Sequence, residues 1–142
     1  MLMVAIVGVA FAVTAQSAKI NSSEKRKIET KSLNSPDLTT TPFEKMKVET
    51  VTVDGFTLQR VTFLPGWKWS ENNKPSVKTD YCTKHHLMYI LSGKLNVVTN
   101  DGSKKELVSG DYTVIEPGHD AWVIGDEPAV VLEMEAIRNP VK

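Results

Sequence analysis

The stretch DYCTKHHLMYILSG, Asp80 to Gly93, holds the only cysteine of the chain and two of its three histidines. Thiolate and imidazole are soft and borderline donors, which suit zinc or iron better than magnesium or calcium. The third histidine, His119, follows the turn EPG. Pro-Gly fits the central positions of a type II turn and releases His119 at the start of a strand. Cys82, His86 and His119 are therefore the candidate metal ligands. Asp80 is a further donor, weighed against the role of a strand-end residue that bonds its own backbone.

Spacing sets a condition on that site. Asp80, Cys82 and His86 share parity and would face one way on a strand. Four residues of straight strand span ~13 Å, whereas two ligands of one zinc ion lie no more than about 4.5 Å apart. A shared ion requires the chain to fold back over Thr83-Lys84-His85. The constellation is a metal corner if that turn closes, and a polar mouth with a buried thiol if it does not. His85, of opposite parity, is expected to face solvent. Nucleophilic catalysis by Cys82, with His86 or His119 as base, lacks any supporting local signature.

Other residues could line a pocket. Trp67 and Trp69 share a face across Lys68, as core packing, as a dimer surface, or as the aromatic wall of a ligand pocket. Arg60, Glu133 and Glu135 lie in strands whose other face is apolar, so any inward-pointing one needs a partner. No phosphate-cradling glycine loop, dinucleotide fingerprint or Cys-x-x-Cys pair is present.

The elements that must hold these residues are strands. KMKVETVTV alternates and then changes phase, as a bulge would make it. VDGF supplies an Asp-Gly hairpin turn before FTLQRVTF. HLMYIL and KLNVVT flank SG, NDG is a second hairpin turn, and DYTVIE ends at PG. The final strand, AVVLEMEAI, sets Val130, Leu132, Met134 and Ala136 on one face, with Val131, Glu133 and Glu135 opposite. Eight or more short strands and no long amphipathic helix after Pro42 predict an all-β sandwich or barrel.

At 142 residues and 41% hydrophobic, the chain suits a single modest domain. Acidic and basic residues balance at 17 each, which argues against a nucleic-acid partner. The apolar run MLMVAIVGVAFAV, followed by the small residues of TAQSA, reads as a signal peptide over residues 1–18, although no Lys or Arg precedes it. Export to the periplasm or beyond is the expectation, with an uncleaved membrane tether as the alternative and no stable span once the segment is removed. Residues 19–42, rich in Ser, Thr, Lys and Glu, read as a flexible linker. The domain itself is expected over 43–142.

The run from YILSGKLNV through NDG to SGDYTVIEPG resembles a cupin, the small conserved β-barrel or jelly roll, over roughly Pro42 to Ile137. With Gly93 set on the closing glycine of the family's first motif, His86 takes the glutamate position, Cys82 the second histidine and Asp80 the first. With Gly110 and Gly118 on the second motif, Glu116 replaces its proline and Ala121 its histidine, while His119 stands two residues earlier. The resemblance implies a single cupin-type antiparallel barrel that binds a divalent metal, zinc or iron, and a small organic ligand. Dioxygenase or isomerase-type chemistry and a homodimer are also implied. A metal-free small-molecule binding or sensing module of the cell envelope is the alternative.

Overall fold

A computed structural model describes residues 27–134. The expected signal peptide, the start of the linker and the end of the last strand lie outside them. The strands run in chain order as β1 (Leu38–Thr40), β2 (Met46–Val53), β3 (Phe56–Phe63), β4 (His86–Ser92), β5 (Lys94–Thr99), β6 (Lys104–Val108), β7 (Tyr112–Ile115), β8 (His119–Val123) and β9 (Ala129–Met134). Two single-turn helices, α1 (Trp69–Asn72) and α2 (Lys74–Val77), interrupt the series between β3 and β4. No helix among the described residues is long and apolar enough to cross a membrane.

All pairings are antiparallel and form two sheets, β1-β2-β3-β9-β4-β7 and β6-β5-β8. The all-β reading holds, but no ladder among the described residues closes the sheets into a barrel. Only isolated bridges, Lys68 to Trp122 and Cys82 to His119, reach the free edge of β8. The segment between them would have to be a strand to complete a ladder. It is wound instead into α1 and α2, with Pro75 near the start of the second and the left-handed Lys78 ending it.

Turn chemistry sets the registers. Asp54 and Gly55 both take positive φ, 47° and 82°, as a two-residue primed turn demands, and Val53 pairs with Phe56 across it. The bulge expected in β2 is not there: β2 and β3 pair without a break from Met46–Phe63 to Val53–Phe56. The phase change comes instead from an outer face that is itself partly buried, with Val51 and Glu49 both covered on the side opposite Val48. The Arg60 side chain bonds Glu49 at 2.7 Å. Arg60 also donates to the Leu33 carbonyl at 2.8 Å, and β1 pairs with β2. Part of the stretch expected to be a linker is thus fastened to the sheet.

The core lies between the two sheets. Val61, Ile90, Leu95 and Val131 are its most completely buried side chains. The ladder registers define rows across the inner face of the larger sheet. Val48, Val61, Val131 and Ile90 make an apolar row. Thr50, Gln59, Glu133 and Met88 make a more polar row one step along.

Candidate metal centre

His86 is the first residue of β4 and His119 the first of β8, so two strand starts meet at one end of the sandwich. Cys82 joins them through a backbone rung. Its N–H donates to the His119 carbonyl at 2.9 Å, and its carbonyl accepts from the Gly118 N–H at 2.8 Å. The condition set by spacing is therefore met: the chain folds back over Thr83-Lys84-His85 and brings Cys82 Sγ to 3.5 Å from His86 Nε2. Gly118, at φ 97°, supplies the left-handed turn that starts β8.

One ligand atom from each of Cys82, His86 and His119 lies within 4.8 Å of the others. A single ion ~2.0–2.3 Å from each donor needs them within about 4.5 Å, so the widest pair has at most a few tenths of an ångström to close. The imidazole rings stand edge to face with centroids 5.2 Å apart. Cys82 and His119 are buried, and His86 is nearly so.

Neighbouring groups fix which ring nitrogen is free. His86 Nδ1 lies 2.7 Å from Glu133 Oε1, and His119 Nδ1 lies 2.6 Å from the Glu116 carbonyl oxygen. A carboxylate and a carbonyl only accept, so both Nδ1 atoms carry the proton and both Nε2 lone pairs are left for a ligand or for Cys82. Two imidazoles and one thiol with an open face match the pattern of three protein ligands plus an exchangeable position. The donor set fits a transition metal.

Without a metal the same groups pair as thiolate and imidazolium, a proton on His86 Nε2 taking the place an ion would hold. Burial alone would raise the Cys82 thiol, but hydrogen bonds from His119 and His86 outweigh it and bring the pKa down to about 6. Burial alone would lower His86, yet its bonds to Cys82 and Glu133 outweigh that and raise it to about 9. Glu133 is held below the usual carboxylate range. Its burial opposes the shift, and His86 and then Lys84, 3.4 Å away, produce it.

A cavity of about 360 Å³ opens beside the three residues. Trp67 and Trp69 line it as buried walls, so core packing and pocket lining are the same role here. The Trp67 indole N–H is satisfied by Asn73 Oδ1 at 3.0 Å. Asp80 does not contribute: its side chain is 91% exposed and faces Lys74 at 3.3 Å. It precedes the turn that redirects Cys82, so strand parity no longer ties the two together. His85, expected in solvent, is half-buried with Nε2 3.5 Å from Glu116. Glu133 is the inward carboxylate that the sequence left undecided. Its signal was an acidic residue, one of two with Glu135, in an otherwise apolar strand.

Residues 68–131 match the EutQ-like cupin domain, a span that includes all three candidate ligands. A structural-genomics protein of unknown function from Rhizobium leguminosarum bv. viciae 3841 is 18% identical, with a TM-score of 0.55 over 77% of this chain and 96% of that one. A protein of unknown function from Acidithiobacillus ferrooxidans is 16% identical, with a TM-score of 0.53 over 71% of this chain and 88% of that one. At such identities the likeness concerns the fold. No curated protein matches the chain.

Proposed function

We propose that this small cupin-domain protein holds one divalent transition metal, zinc or iron, on Cys82, His86 and His119, and presents it to a small organic ligand in the adjoining cavity. The observation that carries this reading is the convergence of three donors within 4.8 Å. Both imidazoles have their Nδ1–H spent on acceptors behind them. The bound ion would supply Lewis-acid polarisation or, as iron, redox chemistry of a dioxygenase or isomerase type. The chain's own contribution is to orient the two rings, to exclude water with Phe63, Trp67, Trp69 and Met88, and to keep Glu133 hydrogen-bonded to His86.

Elemental analysis of protein purified without a histidine tag tests it. Wild type should carry about one metal per chain, Cys82→Ser should lose most of it, and His85→Ala should keep it. Wild type that stays metal-free when zinc and iron are supplied refutes the proposal. The second reading, a metal-free binding or sensing module, has one observation in its favour. Among the described residues, every buried side-chain nitrogen and oxygen has a partner already. An envelope location rests on the N-terminal apolar run.

A further inference from the structure

The cavity is chemically two-ended, and its ends specify a class of ligand. This inference rests on the metal reading above. Along the inner face, the row that holds Gln59 and Glu133 lies next to the row of Val48, Val61 and Val131. Beyond the apolar row comes the pair Met46–Phe63. The cavity reaches across these rows, since Gln59, Glu133, Val48, Val61, Met46 and Phe63 all line it. A ligand that fills it meets charged and polar groups at one end and mainly hydrocarbon, thioether and aromatic surface at the other, where Asn73 is already bonded to Trp67.

Size limits the body. An apolar cavity of ~150 Å³ accepts a benzene ring, and this one is about 360 Å³. By that scale one ring with a short arm fits, two fused rings approach the limit, and a nucleotide does not fit.

Charge selects the head. Lys84 and Glu133 are the lining residues with permanent opposite charges, and they face each other at 3.4 Å. They cancel. Cys82 must be a thiolate to bind a metal, which offsets half the charge of a divalent ion. One positive charge remains in excess in a site whose ligands are largely buried. An uncompensated charge is costly there, and one anionic group removes it.

We infer that the cavity takes a small organic monoanion, with an oxygen head seated at the Cys82–His86–His119 end beside Lys84 and an apolar body of about one ring among Val48, Val61 and Phe63.

Calorimetric titration of zinc-loaded protein with phenylacetate and with its uncharged amide, phenylacetamide, tests this. The acid should bind at least about tenfold more tightly than the amide. Lys84→Met, at an exposed side chain, should narrow that gap several-fold, and Val61→Phe should weaken both by filling the apolar end. Zinc-loaded protein that binds the acid no better than the amide, or not at all, overturns the inference while the metal site stands. Failure of the metal reading is registered separately, by elemental analysis before any ligand is added, and removes both.

Discussion

Glu133 is the residue whose change discriminates most sharply between a metal centre and a merely hydrogen-bonded mouth. Its Oε1 accepts from His86 Nδ1 at 2.7 Å and faces Lys84 at 3.4 Å. Glu133→Gln keeps the size and an acceptor oxygen but removes the charge that makes His86 a better donor to a metal. Losses behind a metal-bound histidine run to ~10–100-fold in affinity. The isosteric change keeps one hydrogen bond, so about tenfold is expected, or ~1.4 kcal/mol. Glu133→Leu removes the acceptor altogether and should reach the upper end, near ~100-fold. Competition for zinc against a chromogenic chelator measures both, with circular dichroism confirming the fold. Two folded variants that bind zinc as tightly as wild type would refute the orienting role and, with it, the assignment of His86 Nε2 as a ligand.

In the metal-free protein, alkylation of Cys82 by iodoacetamide should turn on around pH 6 rather than at the 9.0 of a free thiol. Stability should not follow that titration. The lowered Cys82 contributes stability fully present above pH 9.0 and lost as pH falls through about 6. The raised His86 contributes stability fully present below pH 6.5 and lost as pH rises through about 9. Their slopes oppose each other between about 6.5 and 9, so urea midpoints should show no net pH dependence from this pair there, and a reproducible slope that Cys82→Ser abolishes would contradict the pairing. Gly93→Ala should cost about 2 kcal/mol or more, because φ is 72° and the new Cβ would meet the Pro128 carbonyl oxygen at 2.3 Å. Calorimetry should show a melting temperature lower by ~10 °C, and an unchanged value would mean the turn can rearrange. The outer face carries exposed Tyr89, Leu91, Tyr112 and Val114, so a homodimer that Tyr112→Asp dissociates is expected by light scattering, and a wild-type monomer at tens of micromolar would count against it.

The strands were legible because their punctuation has a single mechanical meaning: Asp54-Gly55 can make little else than a tight hairpin. The three candidate ligands were legible by donor chemistry, and the fold-back over Thr83–His85 was legible only as a condition, since no glycine or proline in that turn enforces it. Binary patterning left the inward face of the last strand undecided. In β9 the continuous apolar set of Val130, Leu132 and Met134 is partly exposed on the outer face, while the face bearing Glu133 points inward. Partners elsewhere in the fold reverse the usual choice: His86 and Lys84 make the inward carboxylate tolerable, and Arg60 does the same for Glu49. Such partners are remote in sequence, at separations of 47, 49 and 11 residues. Periodicity within one strand cannot see them. The open edge beside β8 has a local origin, in the helical turns between Lys68 and Cys82.

The open construction of the two sheets gives an ion on this site a mechanical consequence. β4 belongs to the larger sheet and β8 to the smaller, so His86 and His119 reach from opposite layers, and the rung through Cys82 pins the intervening loop to the second of them. An ion held by all three would act as a clasp across a seam that no continuous ladder closes. Its binding free energy would then count as cohesion between layers, ~4 kcal/mol at a thousandfold excess over the dissociation constant. Stripping the metal would loosen one layer from the other at this end while each sheet kept its own hydrogen bonds. Amide exchange would register that as faster opening of β8 and of the segment around Cys82, with β2 and β3 unaffected.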